Sequence, residues 1–280
     1  MRFLLLMSGL SVAMLASASA ETAKPGVQLV PHRAVYDLSL MRAGGSSSLE
    51  NARGRIAMDF GGNACDGYTL TYRQVTVLDS TEAGSRTMDT RTATFETGDG
   101  LSMRFKSTSS SQGASGNGVD GDAKLSPEGN LDVQFKQPRN ATFAAAGQPV
   151  FPTEHLKRLI EAGRGGQNTL SVRVYDGSDD GKKIYDTLAL IGRRIEPGAG
   201  NNLEEPARQE ALTKVPRWPV TISYFTQGDG DRTPVYTISF ELYENGISRA
   251  LKLDYGDFAL KGDLQSLQVP GAAATAACQR

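Results

Sequence analysis

TPVYTISFELYENGISRALKLDYGDFAL, residues 233–260, decides the fold. It holds two runs of apolar–polar alternation, PVYTISFELY and ISRALKLDYGDF, on either side of Asn245-Gly246. Two-fold alternation bounded by Gly, Asp and Asn is the pattern of half-buried antiparallel strands. Asn and Gly both accept positive φ, so the dipeptide between the runs predicts a hairpin.

The same rhythm extends toward the N-terminus. PVTISYFTQ leads into the stretch, and KIYDTLALIG, TLSVRVYD, NLDVQFKQ, LSMRFKS and RTATFET repeat the pattern. RAVYDLSL, 33–40, places Ala34, Tyr36, Leu38 and Leu40 on one face, and GRIAMDF, 54–60, alternates Ile56, Met58 and Phe60. In GYTLTYRQVTVLD the apolar phase runs through Tyr68, Leu70 and Tyr72, then shifts to Val75 and Val77. That shift predicts a bulge or strand break near Arg73-Gln74. One segment departs from the pattern. FPTEHLKRLIEAGRGG, 151–166, reads as a short amphipathic helix with Thr153 as N-cap, a stripe of Leu156, Leu159 and Ile160, and Gly163 or Gly165 at its end. MRAGGSSS (41–48), STSSSQGASGNGVDGD (107–122) and EPGAGNNLEEP (196–206) read as linkers, the middle one as a long flexible hairpin tip. No repeat and no domain boundary interrupts the strands, so one β domain over 21–280 is expected.

The chain opens with MRFLLLMSGLSVAMLASASA: a positive Arg2, an apolar run from Phe3 to Leu15 and the small-residue site Ala18-Ser19-Ala20. This is the pattern of a secretory signal peptide cleaved after Ala20, and the apolar run is too short to span a bilayer. No later segment resembles a transmembrane helix. Export implies an oxidising compartment. The chain has only two cysteines, Cys65 and Cys278, so they are the one intramolecular pair available there. Closing so long a loop contributes up to roughly 5 kcal/mol in the chain-entropy account. A redox or metal site would want closer spacing, and free thiols would require a chain that is not exported. With 30 basic and 31 acidic residues the net charge is −1, which argues against a nucleic-acid partner.

Catalytic patterns are scarce. His32 and His155 are the two histidines, and neither has a metal-ligand partner at usable spacing. Both read as structural or surface residues. There is no G-x-S-x-G elbow; Gly246-Ile247-Ser248-Arg249-Ala250 comes near but sits on a strand. No phosphate-binding glycine loop appears, so no cofactor is implied. Asp176-Gly177-Ser178-Asp179-Asp180-Gly181 starts like a calcium loop, but Thr187 stands where a bidentate Glu is needed, and a polar hairpin turn is the better reading. Asn140-Ala141-Thr142 is a chance glycosylation sequon. What remains is an aromatic cluster: Trp218, Tyr224, Phe225, Tyr236, Phe240, Tyr243, Tyr255 and Phe258. Most are expected in the core. Trp218, Tyr224 and Tyr236, with helix residues Leu156, Leu159 and Ile160, are the candidates to line a groove, since Tyr and Trp combine an apolar body with a polar tip.

VPHRAVYDLSL, ACDGYTLTYR, FPTEHLKRLIEAG, RWPVTISYF, TPVYTISFELYENGISRALKLDYGDFAL and the near-terminal Cys278, in that order, resemble the cell-envelope integrity protein B (EipB) family of alphaproteobacterial periplasmic proteins. The resemblance runs from about residue 29 to the C-terminus. It implies a mainly β fold: a many-stranded antiparallel β-spiral, or incompletely closed barrel, with the helix against its concave side. It further implies a Cys65–Cys278 disulfide, a role in envelope integrity under stress, a link to a periplasmic tetratricopeptide-repeat protein, and no catalytic residues. The expected function is therefore a periplasmic, non-enzymatic protein that binds a peptide or protein partner, with β-augmentation as one mode. A carrier of a lipid or other apolar envelope molecule is the rival, and it predicts an apolar wall where peptide binding predicts a mixed polar and aromatic one. A peptidoglycan hydrolase ranks last.

Overall fold

The computed structural model describes residues 26–270, apart from 45–47, 112–115, 117, 201 and 229–231. The expected signal peptide, its cleavage point and Cys278 lie outside the described residues.

One antiparallel sheet contains β1 (His32–Ala43), β2 (Leu49–Asn63), β3 (Gly67–Ser80), β4 (Gly84–Glu96), β5 (Ser102–Ser111), β6 (Gly118–Leu125), β7 (Leu131–Gln137), β8 (Thr142–Ala145), β9 (Thr169–Val174), β10 (Tyr185–Ile191), β11 (Arg217–Phe225), β12 (Tyr236–Tyr243), β13 (Ser248–Asp254) and β14 (Phe258–Gln268). Its order is β8-β7-β6-β5-β4-β3-β2-β1-β14-β13-β12-β11-β10-β9. The first and last strands pair in the middle, and each wing unrolls outward strand by strand. The helix α1 (Pro152–Arg164) joins the two free edges.

The sheet curls until those edges meet. Val150 forms a parallel bridge with Val174: its N–H donates to the Arg173 carbonyl at 2.8 Å, and the Tyr175 N–H donates back at 3.0 Å. The Arg173 guanidinium donates to the carbonyls of Ala146 (2.9 Å) and Gly147 (3.3 Å). Past this seam the β9–β10 turn laps over β5–β7. A Cβ on Gly177 would stand 2.5 Å from the Phe105 ring, and one on Gly181 2.5 Å from Phe135. Tyr175 meets Phe105 edge-on at 5.8 Å and stacks on Phe143 at 6.5 Å. The sheet thus overlaps itself instead of closing edge to edge, an incompletely closed barrel.

α1 lies on the concave side. Leu159, Ile160 and Ala162 pack against Phe60, Tyr68, Trp218, Val220 and Ile222, all buried. Each large aliphatic side chain among them contributes roughly 1.5–3 kcal/mol by leaving water. Gly163 permits the close approach, since a Cβ there would lie 2.9 Å from the Trp218 indole. The helix start differs from the sequence reading. Phe151, not Thr153, occupies the N-cap and offers no side-chain bond, so the orphan helix donors need another acceptor. Glu96, at the end of β4, supplies it: its two oxygens accept the Thr153 N–H at 3.1 and 3.0 Å.

Three further expectations are corrected. β3 runs unbroken through Arg73-Gln74 against both neighbours, because Gln74 and Thr76 continue the inner face while Val75 and Val77 point outward. The polar 107–122 stretch is not mainly a flexible tip; β5 and β6 extend into it, pairing Thr108 with Gly118. A second, short helix α2 (Glu210–Thr213) adds Leu212 to the core. The hairpin expected at Asn245-Gly246 forms between β12 and β13; Gly246 alone of the two takes positive φ (90°), and a glycine bulge closes it, Tyr243 N–H to Ile247 O at 2.9 Å.

Candidate functional site: a tyrosine-lined concavity

In an antiparallel pair, residues directly opposite one another share a face. The pairings Thr187–Tyr224 and Tyr224–Tyr236 therefore bring β10, β11 and β12 into one inward-facing row. Ring centroids follow at 6.0 Å from Tyr185 to Tyr224, 5.8 Å to Tyr236, 5.1 Å to Tyr255 and 5.0 Å to Phe258. The curl brings β3 across to meet this row. Tyr72 donates its hydroxyl to Gln74 Oε1 (2.5 Å), and Gln74 Nε2 reaches Thr76 Oγ1 (3.1 Å) and the Tyr255 hydroxyl (3.2 Å). Tyr72, Gln74, Tyr224, Tyr236 and Tyr255 are all half-buried.

Burial raises the pKa of Tyr72, Tyr224, Tyr236 and Tyr255, and the neighbouring tyrosines push Tyr236 further up. The hydroxyls stay protonated, so the wall is neutral and offers both donors and acceptors beside aromatic faces. Such a surface suits an extended polar chain with apolar side groups.

Of the aromatic and helical groove candidates, the structure brings only Tyr224 and Tyr236 into this wall. Trp218 (2 % exposed), Leu159 and Ile160 are fully packed core, and half-buried Leu156 leans on the same cluster. Tyr72 and Gln74 escaped the sequence reading, although a signal was there: the apolar phase shift in β3 marks where the interior turns polar.

The histidines sit elsewhere. His32 is buried on β1, its Nδ1 2.8 Å from the Val30 carbonyl and its ring against Phe60. His155 is buried in α1, where burial first and Arg158 second push its pKa down to about 4. Cys65 lies in the exposed β2–β3 turn, where Asn63 Oδ1 accepts its N–H at 2.7 Å. No helix among the described residues is long and apolar enough to cross a membrane.

Comparison with known proteins agrees with this architecture. The EipB-like family profile matches residues 23–270. The cell envelope integrity protein EipB of Brucella abortus (strain 2308) is 38% identical over 264 residues, covering 94% of this chain and 92% of that one. A crystal structure of a beta-barrel-like protein of a domain of unknown function, also from Brucella abortus, superposes with a TM-score of 0.80 at 37% identity, covering 88% of this chain and all of that one. Fold, sequence and length agree: this chain belongs to the EipB-like family.

Proposed function

We propose that this chain is an exported, non-enzymatic protein that maintains the cell envelope by binding an extended peptide segment of a partner in its tyrosine-lined concavity. The envelope role is supported by a relative named for envelope integrity at 38% identity. The binding mode is supported by the wall itself, in which Tyr72, Tyr224, Tyr236, Tyr255 and Gln74 present polar atoms where a lipid carrier would want an apolar surface. The signal peptide ending at Ala20 delivers a single-domain protein, residues 21–280, to the periplasm, and a Cys65–Cys278 disulfide ties the C-terminal tail beside the β2–β3 turn. A periplasmic tetratricopeptide-repeat protein is a partner to seek.

Mass spectrometry of material co-purifying from the native periplasm tests this. Wild type should retain a peptide or protein, and Tyr236→Ala/Tyr255→Ala should release it and lower survival under envelope stress at unchanged protein level. Retention of a lipid alone, or full survival of the double variant, would overturn the reading.

A further inference from the structure

The seam of the curled sheet is incomplete, and its gap has a distinct chemistry. Across the seam, Val150 alone among the described residues pairs with β9; the preceding residues swing away, the Gln148 N–H going instead to the Gly129 carbonyl at 3.0 Å. A cleft of about 520 Å³ opens between that segment and the β9 edge. Because Arg173 gives its carbonyl to Val150 across the edge, the alternation of an antiparallel ladder turns the N–H and C=O of Ser171 the same way. Among the described residues no backbone partner meets them. Arg158, Arg173 and Arg232 line the cleft against one carboxylate among its described lining residues, Asp186. Arg173 and Arg232 share that carboxylate at 3.5 and 2.6 Å, and Arg158 holds the half-buried Glu154 at 2.9 Å. Beside the charges, on the convex face, Leu188 and Leu190 stand 39% and 53% exposed.

We propose that this cleft is a second binding site, separate from the tyrosine wall, which accepts an extended peptide bearing a carboxylate. The peptide adds a strand along Thr169–Arg173, in line with the parallel bridge the chain already makes at Val150. Its backbone pairs with Ser171, its carboxylate takes the excess guanidinium donors, and an apolar residue covers Leu188. Each element answers an observation: unpaired edge groups recruit a strand, arginine forks bind carboxylates with charge-assisted hydrogen bonds, and partly exposed pairs such as Arg158–Glu154 exchange partners at little cost. Asp186 and Leu188 enter the cleft from the outer face of β10, where they alternate with the inward-facing Tyr185, Thr187 and Ala189; the cleft opens at the β9 edge, with Thr187 at its inner margin, and contains none of Tyr72, Tyr224, Tyr236 or Tyr255.

The test uses the mature protein and short peptides of alternating valine with glutamate, glutamine or lysine, capped at both ends, followed by titration calorimetry and amide hydrogen exchange. The glutamate peptide should bind and protect the Ser171 amide. The glutamine peptide should bind about tenfold or more weakly and the lysine peptide not at all. A glutamine peptide with a free C-terminal carboxylate shows whether a chain end serves as well as a side chain; recovery of binding assigns the site to C-termini. Arg158→Gln/Arg232→Gln, both exposed positions, should weaken glutamate-peptide binding by a similar factor without moving the melting temperature. Ser171→Pro, which removes the outward N–H at an edge position that tolerates proline, should also weaken it with the arginines intact. Equal affinity for the three peptides, or binding without protection at Ser171, would overturn the proposal. Tyr236→Ala/Tyr255→Ala should leave this binding unchanged, which keeps failure here distinct from failure of the concavity reading.

Discussion

β3 and β11 each pass through two different interiors. Toward one end, Tyr68 and Leu70 of β3 and Trp218, Val220 and Ile222 of β11 close on α1 in a packed apolar cluster. Two or three residues along the same strands, Tyr72 and Gln74 face Tyr224, Tyr236 and Tyr255; the rings are half-buried, and Gln74, which accepts from Tyr72, donates across the curl to the Tyr255 hydroxyl. Both ends are aromatic. They differ in what meets the rings: the helix at one end, and at the other the Gln74 amide and a row of tyrosine hydroxyls laid beside the buried cluster of Ile56, Leu251, Leu253 and Leu260. Close packing is how a core is stabilised, whereas a half-buried, neutral, hydrogen-bonding row contributes less per residue, and it is the surface proposed above to take the partner. The packed end should therefore dominate unfolding experiments and the tyrosine end binding experiments.

The largest effect tests the packed end. Trp218→Ala removes a side chain only 2% exposed, wedged against Gly163 of α1. Transfer and cavity costs for such a truncation come to about 3–5 kcal/mol. Urea denaturation should show this as a lower midpoint, and a loss under 1 kcal/mol would mean that the helix is not the keystone of that interior.

Next comes a pH effect from the same end. Burial raises the Glu96 carboxyl to about 7, against the pull of the Thr153 hydrogen bonds and Lys157, with Glu154 adding to the rise. A carboxyl whose folded pKa lies above its unfolded value of about 4.3 favours folding fully below that value, and the contribution is lost as pH rises through about 7. Glu96→Gln keeps an oxygen for the Thr153 N–H and removes the titration. Relative to this variant, wild type should lose about 3 kcal/mol between pH 4 and pH 8. His155 has the opposite sign, its contribution present above the unfolded value and lost as pH falls through about 4, but it is common to both proteins and drops out of the difference. Parallel stability curves would show that Glu96 ionises freely and that its capping bonds outweigh its burial.

A smaller effect probes the fit of helix to indole. Gly163→Ala gains about 1 kcal/mol of helix propensity, yet its new Cβ meets the Trp218 ring at 2.9 Å. Overpacking of this kind costs about 1–3 kcal/mol, so a net loss of about 1 kcal/mol is expected. In a Trp218→Phe background the same alanine should cost less, because the smaller ring withdraws, and that coupling is read from a double-mutant cycle.

The two interiors also explain which parts of the fold were legible in the sequence. β11 to β14 were readable because each has one wet and one apolar face, and the alternation follows. The helix was readable from Leu156, Leu159 and Ile160, although its cap was not, because the acceptor Glu96 arrives from a strand 57 residues away. β6, GVDGDAKL, went unrecognised because glycines and aspartates obscure its alternation, while Val119 and Ala123 are buried beneath Phe105 and its neighbours. The bulge expected in β3 is the instructive error. An apolar pattern that changes phase reads as a backbone irregularity, yet the backbone is regular and the interior itself changes from apolar to polar. The aromatic cluster could not be sorted by residue type, since the sorting depends on where α1 ends.

The smallest effect on stability should carry the largest consequence for binding. Tyr255→Phe keeps the ring that stacks between Tyr236 and Phe258 and deletes only the hydroxyl that accepts from Gln74. A hydrogen bond of this kind is worth about 0.5–1.5 kcal/mol net, and Gln74 keeps Tyr72 and Thr76 as partners. The expected destabilisation is therefore about 0.5 kcal/mol, near the limit of a denaturation experiment. If the tyrosine end is the ligand wall, the same variant should shed the partner that wild type retains and reduce survival under envelope stress. Loss of stability comparable to Trp218→Ala would erase the distinction between the two interiors and make the tyrosine row a second core. Unchanged stability with unchanged partner retention and survival would leave the row's rings, rather than its hydroxyls, as the recognition surface, and Tyr255→Leu would then be the variant that releases the partner.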